Sequence, residues 1–364
     1  MNRLYQIALT MIPQVGGKTA RQILEVYPDP EELFKESRKA LEAAFGKRTI
    51  VDHILDKTIL AAAEAEMEFV TKNDIKLLFI DDPDYPQRLK RPDCDDTPVL
   101  LYYKGTADLN CSKIVSIVGS RKATDYGRTA TEQIVKELAS ENVLIVSGLA
   151  YGIDGASHQA ALANGLPTVG VLGHGLNLIY PAAHRNLAKE MVANGGLLTE
   201  FASNTKLDPG LFPARNRIIA ALSDVVLVME SAKKGGALIT AEIANSYNRD
   251  VFALPGRIND TYSEGCNMLI RSNKANLLTS ADDIFYITGW KRKKNQKAVQ
   301  QTMFQEFVGE EKIIYDLLLQ HKELTIDEIS SLCDLSLPKI AKTLLTLELK
   351  NVCKFLPGKI YKLV

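Results

Sequence analysis

The feature that most constrains the fold is a regular alternation of short β-branched runs with helical stretches, which begins at Lys113. The apolar runs read KIVSIVGS, NVLIVSG, LPTVGVLG, GLLTEF, DVVLVMES, DVFALPG and LLTS, and stretches with helical spacing separate them. Strands that alternate with helices predict a parallel sheet with right-handed crossovers and helices on both faces. We therefore predict an α/β protein built around an open, parallel sheet.

The segment before this sheet, residues 1–73, has apolar residues at helical spacing and predicts a helical domain. Within it, the stretch IPQVGGKTARQIL from Ile12 to Leu24 is similar to a helix-hairpin-helix, as found in SAM-like helical domains. The amides of such a turn can hold a phosphate of DNA. A plain structural hairpin explains the same pattern, and both interpretations stand at this point.

Three further segments complete the predicted organisation. Residues 74–110 form short strands broken by prolines, and we assign them as entry strands to a domain that spans residues 74–290. Residues 291–305 begin with KRKKNQK and predict an exposed basic linker. Residues 306–364 read as three helices and a hairpin, which is typical of a winged helix. This last segment holds eight Lys against nine Asp or Glu, a balance that suits protein contacts as well as DNA contacts.

Composition limits the class of protein. The formal net charge is zero, which argues against a generally basic nucleic-acid coat but allows a local basic pocket. The sequence contains no run of about 18 apolar residues, so we expect no membrane-spanning helix. The N-terminus lacks the pattern of a signal peptide. The five cysteines are scattered without a CxxC pair, so we expect no disulfide framework and no zinc site. We therefore predict a cytoplasmic protein without a metal or other cofactor.

The stretches that follow the predicted strands are rich in Gly, Ser and Arg. They read GSRKAT, SGLAYGID, GHGLNLIYP, TEF, ESAKKGGALITAE and PGR. In open parallel sheets a ligand binds beyond the carboxyl ends of the strands, where glycines admit it to the backbone and helix N-termini favour anions. Neither GxGxxG nor GxxxxGK[ST] is present, which argues against a dinucleotide or a P-loop nucleotide. We predict a crevice that binds a different phosphate ligand.

Two arginines in the stretch FPARNRIIAALSDVVLVME are the first candidates for this crevice. Arg215 shares a helix face with Ile218 and Ile219, so it should point toward the sheet and the crevice. Arg217 lies roughly opposite and cannot point the same way. Alternatively, one of these arginines pairs with a local carboxylate such as Glu200 or Glu230. Outside this stretch, Arg121 in a strand-to-helix turn and Arg185 at the start of HRNLA are further candidates for anion binding.

Several long motifs in order resemble the DNA-processing protein A (DprA/Smf) family, and the match covers nearly the whole chain. They are SIVGSRKATDYG, IVSGLAYGIDGASHQAAL, GHGLNLIYPAAHRNLA, LLTEF, FPARNRIIAALSDVVLVMES, GGALITAEIANSYNRDVFALPG and SEGCNMLIRSNKANLLTS. The resemblance implies an extended Rossmann-like domain that binds single-stranded DNA, commonly dimerises and is not known as an enzyme. It further implies a role in loading the RecA recombinase onto incoming strands during natural transformation.

Carried over motif by motif, the resemblance implies a set of nucleic-acid-binding residues. Arg185 enters this set in place of a helix-borne lysine that some relatives carry near the YP pair. The set is Gly119, Ser120, Arg121, Ser147, Gly148, Arg185, Arg215, Asn216, Arg217, Gly235 and Gly236.

Charge supports single strands over duplex DNA as the ligand. Residues 112–290 carry sixteen Lys plus Arg against sixteen Asp plus Glu, too balanced to coat a duplex. A crevice can accept splayed phosphates and bases, so we expect few, local contacts and a modest dependence on salt. Dimerisation would then raise the apparent affinity.

Two other functions compete with this prediction. The GGALITAE loop partly matches the loop of LOG-like phosphoribohydrolases through Gly235, Gly236, Thr240 and Glu242, but it lacks their PGG and GT pairs. For such an enzyme, Glu200 and Glu242 would be the carboxylates to test. Alternatively, the protein is an interaction scaffold that does not bind DNA, in which the winged helix and a sheet face contact a recombinase.

Overall fold

A computed structural model of the chain describes residues 2–46, 48–291, 307, 309–321, 323–333, 335–349, 352–356 and 360–363. The chain forms two compact units, Met1–Lys293 and Lys294–Val364. Apart from Lys291, the predicted basic linker of residues 291–305 lies outside the described residues.

The N-terminal segment is helical, as its apolar spacing predicts. Its helices are α1 (Arg3–Met11), α2 (Gly17–Val26), α3 (Pro30–Lys35), α4 (Arg38–Phe45), α5 (Arg48–Ile54) and α6 (Lys57–Lys72). N-cap side chains accept hydrogen bonds from backbone N–H groups at the starts of several helices: Asp29 in α3, Ser37 in α4 and Asp56 in α6.

One sheet, with nine strands among the described residues, forms the body of the first unit. Its strands are β1 (Lys76–Phe79), β2 (Leu100–Gly105), β3 (Ile114–Gly119), β4 (Leu144–Ser147), β5 (Thr168–Val171), β6 (Gly195–Thr199), β7 (Val225–Glu230), β8 (Asp250–Ala253) and β9 (Asn276–Leu277). The spatial order is β1-β2-β6-β5-β4-β3-β7-β8-β9. The strands from β3 onward pair in parallel, which confirms the predicted parallel sheet. The entry strands β1 and β2 extend the same sheet as an antiparallel pair beside β6.

Helices cover both faces of this sheet. They are α7 (Asp125–Leu138), α8 (Ile153–Ala163), α9 (Arg185–Ala193), α10 (Leu211–Leu222), α11 (Gly236–Ser246), α12 (Glu264–Arg271) and α13 (Ala281–Thr288). Alternate residues of each strand enter different cores: Val226 and Val228 pack with α10, α11 and α12, whereas Val225 and Leu227 pack with α7, α8 and α13. Strands buried on both faces explain the continuous apolar runs in the sequence.

The strand order reverses at β3. The chain runs from β3 through β4 and β5 to β6 on one side, then crosses back to β7 and β8 on the other side. Such a reversal leaves a gap between the loops at the carboxyl ends of β3 and β7, and ligands of open α/β sheets bind at that point.

The second unit is a winged helix, as predicted. It contains α14 (Glu310–His321), β10 (Glu323–Thr325), α15 (Ile326–Leu332), α16 (Leu337–Leu349), β11 (Cys353–Leu356) and β12 (Ile360–Leu363). The strands form an antiparallel sheet in the order β10-β12-β11. Ile314, Ile329 and Leu344 are fully buried in a core of its own.

Within the described parts of the chain, no helix is long and apolar enough to cross a membrane. All five cysteines are free thiols.

Candidate nucleic-acid interface

A cavity of about 420 Å³ opens at the carboxyl ends of β3 and β7, where the strand order reverses. We call it the switch-point cavity. The predicted binding residues that line it are Gly119, Ser120, Arg121, Arg215, Asn216, Gly235 and Gly236. Ser147, Gly148, Arg185 and Arg217 do not line it. The structure thus brings together most of the predicted set.

The floor of the cavity depends on two glycines that let neighbouring loops meet. A Cβ on Gly119 would lie 2.5 Å from the side chain of Ile153, at the start of α8. Gly152 has φ +78°, and a Cβ there would lie 2.1 Å from the carbonyl oxygen of Ser120. The Ile153 N–H donates to that same carbonyl at 3.2 Å. The loop after β3 and the loop before α8 are therefore locked together.

Arg215 lines the cavity from a buried position near the start of α10, as its fifth residue, with only 3% of its surface exposed. Its Nη1 donates to the carbonyl of Gly148, at 2.6 Å, and to the carbonyl of Val171. Its Nε has no partner among the described residues. Burial lowers the pKa of Arg215 to about 10, so the side chain stays charged at neutral pH. The predicted direction is correct, but two backbone carbonyls hold the guanidinium in the wall of the cavity.

Ser147 and Gly148 support this wall instead of lining the cavity. The Ser147 hydroxyl donates to the carbonyl of Ile117 inside the sheet. A Cβ on Gly148 would lie 2.3 Å from Nη1 of Arg215, so a glycine is needed there because the arginine passes so close. The structure thus places Gly148 against Arg215 and both residues outside the cavity lining, and their part in binding stays a prediction.

Asp154 is a cavity residue that the sequence analysis missed. It is 7% exposed, lies in the first turn of α8 and lines the cavity. Burial raises the pKa of Asp154, while the positive charge of Arg215 and the backbone N–H of Ala150 lower it. Asp154 lies in the SGLAYGID stretch, which follows a predicted strand, and this position could have identified it as a candidate site residue.

Two aromatic side chains, also missed, lie at the cavity. Tyr180 is 45% exposed, and its ring centroid lies 5.8 Å from that of Phe212. The guanidinium carbon of Arg121 lies 5.5 Å from the centroid of the Phe212 ring, at a cation–π distance. Aromatic faces next to an exposed arginine provide the two kinds of contact that a single-stranded nucleic acid requires, base stacking and a phosphate ligand.

The glycine loop brings a helix N-terminus to the same cavity. Helix α11 begins at Gly236, with Gly235 as its N-cap residue. A Cβ on Gly235 would lie 2.2 Å from Oγ of Ser231, whereas a Cβ on Gly236 would meet nothing within 4 Å. Gly236 and Ala237, the first two residues of α11, line the cavity, where their N–H groups can bind an anion.

Arg217, a predicted binding residue, is held by local contacts outside the cavity lining. Its Nη2 forms an ion pair with Glu200, and its Nη1 donates to the carbonyl of Asp96 at 2.7 Å. The two charged side chains are only 16% and 15% exposed. Arg217 therefore pairs with a local carboxylate, which was the alternative given by the sequence. Its side of α10 also contacts the loop before β2 through Asp96. Arg185 is exposed at the first residue of α9, outside the cavity lining.

The carboxylates proposed for a hydrolase lie outside the cavity lining as well. Glu200 is held by Arg217, and burial raises its pKa although Arg217 opposes the shift. Glu242 is exposed and lies 3.6 Å from Nζ of Lys274. The carboxylate in the cavity is Asp154.

The Gly-Gly turn between α1 and α2 has a structural explanation. A Cβ on Gly17 would lie 2.2 Å from the carbonyl oxygen of Thr97. Arg21 donates from α2 to Oγ1 of Thr97 at 2.7 Å and to the carbonyl of Leu89 at 3.0 Å. These contacts favour the structural interpretation of the hairpin, because its glycine serves close packing against the loop before β2.

Comparison with known families gives two matches along the chain. The family model of DNA recombination-mediator protein A matches residues 76–288, and the model of the DprA winged helix domain matches residues 309–359. The first match covers the sheet with its entry strands, and the second covers the winged helix.

Individual relatives agree with these matches. Protein Smf of Synechocystis is 38% identical over 291 residues, which are 78% of this chain and 72% of the relative. The X-ray structure of DNA processing protein A from Streptococcus pneumoniae superposes with a TM-score of 0.66 at 35% identity and covers 78% of this chain and 97% of that one. A Helicobacter pylori structure, described as revealing the single-stranded DNA binding mode of DNA processing protein A, has a TM-score of 0.54 at 29% identity and covers 60% of this chain and 97% of that one. The chain therefore belongs to the DNA recombination-mediator protein A (DprA/Smf) family.

Proposed function

We propose that this protein binds single-stranded DNA in the switch-point cavity, protects incoming strands and delivers them to a RecA-type recombinase during natural transformation. The observation that carries the proposal is the group formed by Arg121, Phe212 and Tyr180 beside the N-terminus of α11. It offers a fixed positive charge, stacking faces and free amides in one cavity. The relative from Helicobacter pylori, whose structure concerns single-stranded DNA, supports the same ligand.

A recessed site selects for single strands. Arg215 and Asp154 are buried in the cavity wall, where a base-paired helix cannot reach them. A single strand can turn its phosphates and bases inward separately. The balanced charge of residues 112–290 leaves little attraction for a duplex outside this cavity.

We propose in addition that the protein acts as a homodimer, by binding and without catalysis, in the cytoplasm where RecA acts. Two linked cavities would raise the affinity for one strand without new contacts. The positions of Glu200 and Glu242 outside the cavity support binding over glycosidic cleavage. Release of free base from nucleoside monophosphates by the wild type, abolished in Asp154→Asn, would show instead that the cavity is catalytic.

Fluorescence anisotropy with labelled oligo-dT at two salt concentrations tests the DNA site. Arg121→Ala removes an exposed charge at the cavity, and Arg271→Ala, at the last residue of α12, removes an exposed charge elsewhere in the same unit. We expect Arg121→Ala to weaken binding and to reduce the salt slope by about 0.7, the value for one lost phosphate contact on a single strand. Arg271→Ala should leave both unchanged.

The opposite pattern would refute this location for the site. If Arg121→Ala and Arg271→Ala bind oligo-dT equally well, or if duplex DNA competes as strongly as single strands, the ligand binds elsewhere. A RecA strand-loading assay with the same variants tests the partner: Arg121→Ala should fail to stimulate loading while Arg271→Ala stimulates it.

A further inference from the structure

A second cavity, of about 760 Å³, opens at the carboxyl ends of β3 and β8. We call it the lateral cavity. Thr124, Tyr126, Pro255, Gly256, Arg257 and Asp260 line it. The segment that leaves β3 contributes to both cavities, since residues 119–121 line the switch-point cavity and residues 124–126, which include the start of α7, line the lateral one.

Tyr126 provides a fixed aromatic surface in the lateral cavity. It is 50% exposed, and its hydroxyl donates to the carbonyl of Pro255 at 2.7 Å. This bond ties the hydroxyl end of the ring to the loop after β8. A tyrosine held in this way loses little side-chain entropy when a base stacks on it.

The loop after β8, which lines the lateral cavity together with Tyr126, is held by side-chain hydrogen bonds. The Asn267 side chain accepts from the Gly256 N–H at 3.2 Å and donates to the Gly256 carbonyl at 3.0 Å. Asp260 accepts from the backbone N–H of Tyr262 at 3.0 Å and from the hydroxyl of Ser263 at 3.1 Å. The loop after β8 is therefore shaped before any ligand arrives, which lowers the free-energy cost of binding.

Thr124 fixes the other side of the cavity. Its backbone N–H donates to Glu230 at 2.9 Å, and its hydroxyl donates to the same carboxylate. Glu230 ends β7, the strand between β3 and β8. Neighbouring strands lie about 4.8 Å apart, so the strand ends that bound the two cavities lie within about 10 Å of each other.

Exposed positive side chains line the two cavities or adjoin lining residues in the sequence. They are Arg121, Lys122, Lys233, Lys234 and Arg257. Across the ranges that the structure describes, none of them forms an ion pair with a carboxylate, so their charge is available to phosphates. A strand that leaves the switch-point cavity over the end of β7 would stay beside these charges.

The charges inside the lateral cavity indicate which part of a nucleotide it accepts. Asp125 and Asp260 line it and would repel a phosphate placed among them. A base has no charge, stacks on an aromatic ring and can donate N–H groups to a carboxylate. The phosphate next to that base would meet Arg257 at the rim.

We propose that the lateral cavity is a second nucleotide subsite for the same DNA strand, in which Tyr126 stacks on a base and Arg257 contacts the adjoining phosphate. This inference rests on the proposed binding of single-stranded DNA in the switch-point cavity. It predicts a footprint that extends from β3 across β7 to β8.

The test measures affinity against strand length, with oligo-dT from about 4 to about 16 nucleotides. Tyr126→Ala should leave the affinity for the shortest oligonucleotides unchanged and lower it roughly tenfold for the longer ones, as expected for one lost stacking contact. Arg257→Ala should also weaken only the longer oligonucleotides, because it removes a phosphate contact. Tyr126→Phe keeps the ring and removes only the hydroxyl, so it should retain most of the affinity. Arg121→Ala should weaken binding at every length.

A spectroscopic variant provides an independent result. In Tyr126→Trp, long oligo-dT should quench the fluorescence of the new indole, whereas the wild type with its single Trp290 serves as the background. Equal thermal unfolding of all variants and the wild type would show that the fold is intact.

The outcomes separate the two proposals. If the wild type does not bind oligo-dT, or if Arg121→Ala binds as the wild type does, the proposed function fails. If Arg121→Ala weakens binding but Tyr126→Ala and Arg257→Ala match the wild type at every length, the lateral subsite alone is refuted. The subsite is also refuted if Tyr126→Ala weakens the shortest oligonucleotides as much as the longest.

Discussion

Gly148→Ala should destabilise the fold, because the new methyl group would occupy the place of the Arg215 guanidinium. Its Cβ would lie 2.3, 2.4 and 2.5 Å from Nη1, Nη2 and Cζ of that side chain. The guanidinium is at the end of a flexible side chain, but it is buried and donates to the carbonyls of Gly148 and Val171. It cannot move aside without losing these bonds.

The expected magnitude follows from those contacts. Overpacking a close-packed interior costs typically about 1–3 kcal/mol. A hydrogen bond to a charged group contributes about 1.5–3 kcal/mol, and at least one of the two would be lost. If both costs apply, the free energy of unfolding should fall by about 2.5–6 kcal/mol, and the binding of oligo-dT should weaken as well.

The matched control is Gly236→Ala, in the same cavity. A Cβ at Gly236, the first residue of α11, meets nothing within 4 Å. Alanine there should be neutral or stabilise by up to about 1 kcal/mol through the unfolded state. Urea unfolding followed by circular dichroism compares the two variants. A Gly148→Ala protein as stable as the Gly236→Ala protein would show that Arg215 is not fixed as described.

Three further predictions concern Asp154 and Phe212 at the cavity and Glu66 in the N-terminal segment. Burial raises the pKa of Asp154, so its carboxylate should take up a proton at a pH above the ordinary pKa of about 4. Because protonation removes a negative charge from the cavity, the affinity for oligo-dT should increase as the pH falls through that range. Asp154→Asn should remove this pH dependence in anisotropy titrations. Phe212→Leu removes the ring beside Arg121 and should weaken oligo-dT binding by about 1–3 kcal/mol in the same titrations, without a matching loss in thermal stability. Glu66→Gln should cost about 1–3 kcal/mol in urea unfolding, because the buried carboxylate accepts both the backbone N–H and the hydroxyl of Ser203.

The alternation of strands and helices was enough to predict the layered sheet, because a strand buried on both faces must be apolar throughout. The winged helix could be predicted for a similar reason, from its order of helices and strands. The sequence could not predict that β1 and β2 join the sheet beside β6 as antiparallel neighbours. Strand order depends on pairing between distant segments, and local hydrophobic periodicity does not predict that pairing.

At the site, helical geometry predicted the direction of Arg215 but not its partners. The helical angle between Arg215 and Arg217 predicted that they face different ways. Only the fold shows that Arg217 forms an ion pair with Glu200 and donates to the carbonyl of Asp96. Tyr180 and Phe212 reach the cavity from separate segments, so no spacing in the sequence could pair them.

The core beneath the N-terminal helices has a consequence for how the chain unfolds. Ile7 of α1, Leu41 of α4 and Ala63 of α6 share one apolar cluster with Phe79 of β1 and Tyr102 of β2. The helical segment and the sheet edge therefore bury each other, and removing the first 73 residues would strip two strands of their cover. The first unit should melt as one cooperative block, whereas the winged helix, which keeps a separate core, should show its own transition.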